Sequence, residues 1–343
     1  MCRCSGFFAV LACVLMGFAA PLAHAELLST VPTTILSFTG SGFDATRVSD
    51  PAVVFANGTY DLLYSGLPFA NNYQIGLATS VDGTNWTRYS SNPVISNAGS
   101  PSWDSFREQP VALFYSGGTY RLWLNGDNSN LGTDPGYMQG FGYATSSDGV
   151  HWTQPATPIR DGTSTSTYAL SAVVSVGGAY DAYYVHSLAT GDALYRATST
   201  DGATFANDTP VNAPSGYHLE TATAITVGGQ SRIFSIWADS AGSHEYATSV
   251  DGINFTMGGA LDLPSSFSVR NIDVSGSQLT IYGNVGVGNV NWSYGNEVIQ
   301  MAQSINFPNV ESQLGGASSV PEPSSLSLLV LSVFGLVALK RRA

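Results

Sequence analysis

One nine-residue pattern recurs along this 343-residue chain and limits its fold more than any other feature. It reads Ala78-Thr79-Ser80-Val81-Asp82-Gly83-Thr84-Asn85-Trp86 and returns over residues 144–152, 197–205 and 247–255. The third and fourth copies end in Phe205 and Phe255 instead of Trp. The aspartates Asp82, Asp148, Asp201 and Asp251 are 66, 53 and 50 residues apart. A degraded copy, Ala302-Gln303-Ser304-Ile305-Asn306-Phe307, follows 55 residues after Asp251. In each copy Ala-Thr-Ser closes a strand and Asp-Gly makes a tight turn, because Gly accepts positive φ without steric cost. The aromatic residue then opens the next strand and packs between neighbouring sheets.

A second pattern precedes each copy. Asp50-Pro51-Ala52-Val53-Val54-Phe55 passes through Asn57-Gly58 into Thr59-Tyr60-Asp61-Leu62-Leu63-Tyr64. Comparable pairs of short apolar and alternating runs begin near Gln109, Ser171, Ala222 and Asn271. Each pair predicts a hairpin. Five such units, with a period of roughly 50 residues, predict an all-β chain folded as a five-bladed β-propeller. Single blades cannot bury both faces, so residues 26–314 are expected to form one ring. Residues 27 to about 46 are available as a closing strand.

The two ends differ from the ring. Arg3, the apolar run from Phe7 to Ala20 and the small residues of Ala23-His24-Ala25 read as a secretory signal peptide over residues 1–25. Residues 315–319 read as a linker. After them come Val320-Pro321-Glu322-Pro323, the apolar stretch Leu326 to Leu339, and Lys340-Arg341-Arg342. The stretch is short for a stable span, and its basic end would stay cytoplasmic. In that order, the three parts resemble the PEP-CTERM sorting signal, with residues 326–339 as its transmembrane helix. The resemblance implies processing by an exosortase in a Gram-negative bacterium that makes exopolysaccharide. It also implies a protein exported to the cell surface, the outer envelope or the extracellular matrix. Contact with the membrane is then expected only through the termini.

Cysteine use agrees with export. Cys2, Cys4 and Cys13 all lie in the signal region, so the remaining chain has no disulfide or thiolate metal site. Residues 26–318 hold 8 arginines, no lysine and 23 acids, and 8 − 23 gives a net charge of −15. That balance argues against nucleic acid, whose phosphates need cationic neutralisation. It suits a neutral or cationic partner. The Asp-Gly turns lack the alternating carboxylates of a calcium loop, so neither metal nor cofactor is expected.

In a propeller the starts of the innermost strands converge near the axis. Those starts read Arg47-Val48-Ser49-Asp50, Arg107-Glu108-Gln109, Tyr168-Ala169-Leu170, His218-Leu219-Glu220-Thr221 and Arg270-Asn271. Asp50, Glu108 and Glu220 are therefore the candidate catalytic carboxylates. Arg47, Arg107, His218 and Arg270 are candidates for substrate binding. So is Trp103, which precedes the second blade and could stack on a sugar face. Each carboxylate also has a plain structural alternative: Asp50 as a strand-start cap, Glu108 paired with an arginine, and Glu220 paired with His218.

With Ser49-Asp50-Pro51, Gly58-Thr59-Tyr60, Leu63-Tyr64-Ser65-Gly66 and the Asp82-Gly83 turn, residues 45 to about 310 are similar to the five-bladed glycoside hydrolases of families 43, 32 and 130. The resemblance implies that Asp50 is a general base or nucleophile and that Glu108 holds substrate and tunes its partner. The general-acid Glu it calls for on the third blade is missing, since that blade opens Ala169-Leu170-Ser171. Glu220, on the fourth, is the comparable acid. The chemistry would need two carboxylates with separate roles, about 6.5–9.5 Å apart if water attacks directly. Three readings stand: a hydrolase of polysaccharide or oligosaccharide, a propeller that binds matrix glycan or protein without cutting, and a purely structural surface protein.

Overall fold

The computed structural model describes residues 31–304 apart from 70–71, 98–101, 129–138, 228, 276–277 and 288–295. The expected signal peptide, the linker and the sorting tail with its apolar helix lie outside the described residues. Among the described residues, no helix is long and apolar enough to cross a membrane.

The chain forms the expected five-bladed propeller of antiparallel sheets. Blade one is β2 (Arg47–Ala56), β3 (Thr59–Leu67), β4 (Gln74–Ser80) and β5 (Thr87–Arg88). Blade two is β6 (Arg107–Ser116), β7 (Thr119–Asp127) and β8 (Gln139–Ser146), its outer edge held by isolated bridges such as Thr145 to Thr153. Blade three is β9 (Ser166–Val176), β10 (Ala179–Leu188), β11 (Gly191–Ser199) and β12 (Ala206–Pro210). Blade four is β13 (Tyr217–Val227), β14 (Gln230–Asp239), β15 (His244–Ser249) and β16 (Thr256–Leu261). Blade five is β17 (Phe267–Ser275), β18 (Gln278–Val287) and β19 (Asn296–Ser304), completed by the N-terminal β1 (Thr33–Leu36). The first strand of each blade touches that of the next, and β17 touches β2, so the ring closes.

The core consists of apolar layers between blades. Leu63 of blade one meets Leu113 and Leu122 of blade two, and Trp123 meets Leu170 and Tyr184 of blade three. Tyr183 meets Trp237 of blade four, Phe234 meets Phe267 of blade five, and Tyr282 returns to Leu62 and Tyr64. The repeat aromatics lie in these layers: Trp86 is edge-on to Tyr282 at 6.4 Å, and Phe255 edge-on to Trp237 at 5.2 Å.

The repeat turn differs from a two-residue hairpin. Positive φ falls on the glycine alone, 73° at Gly83 and 76° at Gly149, and not on the aspartate. Ser80 Oγ donates to Asp82 Oδ1 at 2.9 Å and accepts from the Gly83 amide at 2.9 Å. Asp82 Oδ1 then accepts from the amides of Thr84 and Asn85, both at 2.8 Å. The same bonds recur around Ser146, Ser199 and Ser249. The Ser and Asp side chains thus replace strand hydrogen bonds that a wider loop would forfeit. The two-residue turn sits between first and second strands instead, as at Asn57 and Gly58, with φ 52° and 87°.

Candidate functional site

Every first strand carries an irregularity at the same rung. In blades two to five the pairing with the second strand skips one residue: Val111, Ser171, Glu220 or Arg270. In blade one, Asp50 and Pro51 together face Tyr64, between the pairs Ser49–Ser65 and Ala52–Leu63. A bulge re-aims the side chain it carries. Five bulges on one rung therefore present Asp50, Glu220 and Arg270 at a common cavity of about 320 Å³, which Gln109, Asn125, Ser171, His218 and Ser268 also line.

Asp50 is held from three directions. Its carboxylate accepts from Ser49 Oγ at 2.7 Å and from Gln109 Nε2 of blade two at 3.1 Å. Arg270 Nε of blade five is 3.3 Å from its other oxygen. Its own amide donates to Asn284 Oδ1, on the second strand of blade five, at 2.9 Å. Asn125 makes the same clip from blade two, accepting from the Leu170 amide at 2.7 Å. Asp50 adopts φ 52° although Pro51 follows it, a conformation the preceding residue of a proline ordinarily avoids. Such strain persists only where surrounding contacts over-determine it, and functional sites are where it collects.

Glu220 occupies the bulge of blade four, with its side chain 7 % exposed. One oxygen accepts from Ser268 Oγ at 3.4 Å and from the Val269 amide at 3.3 Å. The other lies 3.0 Å from His244 Nε2, not from His218. His244 is on β15, two strands out, on the rung that Ala238 shares with His218. A second cavity, of about 570 Å³, opens beside the axial one between blades four and five. Glu220, His218, Ser268 and Arg270 line both cavities.

Arg47 reaches the rim of this second cavity, where it pairs with Glu297 and donates to Tyr73 Oη at 3.0 Å. Burial raises the Glu297 carboxyl above the usual range, Arg47 works against that, and Asp50 adds to it. Glu297, from β19, and His244, which opens β15, stand on third strands and not on the innermost strands whose starts converge at the axis.

Three sequence candidates lie elsewhere. Glu108 is 1 % exposed, lines neither cavity, and is pushed up to about 8 by burial and by nearby Asp104. Arg107 stacks 5.0 Å over the Tyr73 ring and sits 3.3 Å from buried Asp127. Trp103 is 6 % exposed, and its ring fills the space over Gly126 and Gly142, where a Cβ would overlap it. Phe43 fills the same place in blade one, over Gly66 and Gly76. Trp103 is thus a packing residue of the ring rather than a wall of the cavity.

Residues 319–342 match the PEP-CTERM protein-sorting motif. An uncharacterized protein of Mycobacterium tuberculosis is 33 % identical over 174 residues, 48 % of this chain and 55 % of that one. The chain thus spans about half the length of the curated relatives it matches. A family 117 glycoside hydrolase of the marine bacterium Zobellia galactanivorans superposes with a TM-score of 0.60 at 15 % identity, over 82 % of this chain and 92 % of that one. A GH130 structure, from work on hydrolases that target β-1,2 mannosidic linkages in Candida mannan, gives 0.56 at 16 % identity, over 82 % and 95 %. An N-acetylgalactosamine deacetylase of F. plautii gives 0.59 at 14 % identity, over 82 % and 97 %. At these identities the likeness is one of fold. The propeller resembles those of glycoside hydrolases, and a deacetylase shares it.

Proposed function

We propose that the protein is exported to the cell surface or exopolysaccharide matrix of a Gram-negative bacterium and hydrolyses a glycan at its axial cavity. The observation that carries this reading is the pairing of Asp50 and Glu220 on one cavity, with Arg270 on the same cavity. Asp50 serves as base or nucleophile, oriented by Ser49, Gln109 and Arg270. Glu220 serves as the acid, delivering its proton to the leaving oxygen while His244 and Ser268 fix its orientation. The glycoside hydrolases of like fold and the sorting motif, which suggests export, support the same reading.

The test is hydrolysis of aryl-glycosides and of bacterial exopolysaccharide by the mature chain. Asp50→Asn and Glu220→Gln are each expected to lower kcat/KM by about 10²–10⁴-fold. Activity unchanged by Asp50→Asn would remove Asp50 from the chemistry.

A second reading is glycan binding without turnover. Ser171 holds the blade-three bulge where a further acid could have stood, and Glu220 is already engaged by His244. Binding of polysaccharide with no sugar released, by wild type and Asp50→Asn alike, decides for that reading.

A further inference from the structure

The cavity between blades four and five is larger than the axial one it adjoins, and the two-carboxylate chemistry leaves it unused. Its walls come from the starts of β13 and β17, the ends of β14 and β18, and the loops around Ser240 and Ser266. Its volume, about 570 Å³, lies within the range of small-molecule sites. His244 is 2 % exposed and lines it, and its Nδ1 has no hydrogen-bond partner among the described residues. Arg47 Nε and Glu297 Oε2 on the same wall also lack one. Ser240, Ser265, Ser266, Ser268 and His218 line the cavity as well, and these hydroxyls and this imidazole supply the donors and acceptors that a ligand with many hydroxyls needs.

The charges narrow the class. Glu220, Asp239 and Glu297 line this cavity and Asp50 adjoins it, against Arg47 and Arg270. Each arginine already lies against a carboxylate, Arg47 against Glu297 and Arg270 Nε 3.3 Å from Asp50. Asp239 accepts from the amides of Ala241 and Ser243 at 2.8 Å, which holds its carboxyl below the usual range and keeps it anionic. A carboxylate on the ligand would meet this excess of like charge and would compete with Glu297 and Asp50 for the two arginines.

We propose that this cavity is a glycan subsite next to the Asp50–Glu220 pair, and that it takes a sugar carrying no carboxylate. This inference rests on the glycan reading of the axial cavity, but not on turnover there. One sugar ring sits over the axis and the adjoining ring lies between blades four and five.

The experiment uses the mature chain and a Ser266→Trp variant, which fills the exposed mouth without touching Asp50 or Glu220. Calorimetric titration compares neutral manno- and gluco-oligosaccharides, glucosamine oligomers and oligogalacturonates. The expected result is binding of neutral or amino oligosaccharides at least about tenfold tighter than of oligogalacturonates, lost by about tenfold or more in Ser266→Trp. The variant is expected to melt at the wild-type temperature, since Ser266 lies on an exposed loop. Equal affinity of variant and wild type for the oligosaccharides overturns the subsite. Tighter binding of oligogalacturonates overturns the sugar class, and binding of nothing in the panel overturns both. Binding with the expected preference but without hydrolysis fails only the hydrolase reading.

Discussion

Glu108 is an acid buried in the second blade with one oxygen unpartnered among the described residues. Burial first, and Asp104 second, push it from 4.5 to about 8. In the folded chain it stays protonated through neutral pH, whereas the unfolded chain ionises above 4.5. Its contribution to stability is therefore complete below pH 4.5 and is lost as pH rises towards 8. Asp127, pushed up to about 7 by burial against the pull of Arg107, acts in the same direction from its ordinary 3.8. Glu108→Gln, which cannot ionise, is expected to match wild type at pH 4.5 and to be more stable at pH 8 by up to a few kcal/mol. Thermal melts at both pH values check this, and an equal gain at both would show that ionisation is not the cause. Because it lines neither cavity, Glu108→Gln should also leave the axial chemistry in place. Read from sequence, Glu108 and Asp50 look alike, since each lies within three residues after an arginine and shortly before an apolar run. Register separates them: Glu108 pairs with Gly126, two residues before the rung where the bulges occur, while Asp50 is on it.

At the scale of the element, the repeat is a device for ending a strand. Ser199 is 5 % exposed, donates to Asp201 at 2.9 Å and accepts from the Gly202 amide at 2.8 Å. Replacing it with Ala leaves a buried amide unpaired, at about 1–2 kcal/mol. The equivalent change at Ser249 should add to it nearly in full, because the two turns lie in different blades and share no partner. Denaturant unfolding of the single and double variants measures both. The carbonyl of Gly202 receives Trp123 Nε1 at 2.8 Å, and that of Gly252 receives the Tyr183 hydroxyl at 2.9 Å, so each turn also docks onto the preceding blade. Gly126 serves packing instead, since it lets the Trp103 ring lie against the strand backbone. Gly126→Ala forces that ring or the strand to shift, at about 1–3 kcal/mol. Melts of this variant should show the loss, and a neutral result would mean that the ring can move aside.

For the whole molecule, the decisive contact is between its two ends. β1 pairs with β19 through Thr33–Met301 and Thr34–Gln300, so residues from the start of the described chain finish the blade that ends it. Removing β1 exposes the edge of β19 and takes away Leu36, which is 4 % exposed and packs with Ile299 and Met301. A chain lacking residues up to Leu36 is expected to melt lower, with a broader transition, and to associate through that edge. Calorimetry and light scattering test it, and an unchanged sharp melt would show that the ring closes without the strand. The blade count, the strand-closing turns and the convergence of first strands were legible in sequence because each rests on local chemistry. Glycine at positive φ, serine and aspartate bonding to nearby amides, and alternating apolar residues are all readable within about ten residues. What tertiary structure alone decided is which side chains share the cavity. The bulges shift register by one residue, and strand alternation turns that shift into a change of direction. Asp50 therefore faces the cavity, and Glu108 does not line it. His244 and Glu297 arrive from strands two places out in blades four and five, where no neighbouring residue announces them. The −15 charge favoured a neutral or cationic partner from composition alone. Only the folded arrangement sets Arg47 against Glu297, and Arg270 against Asp50, beside the two cavities.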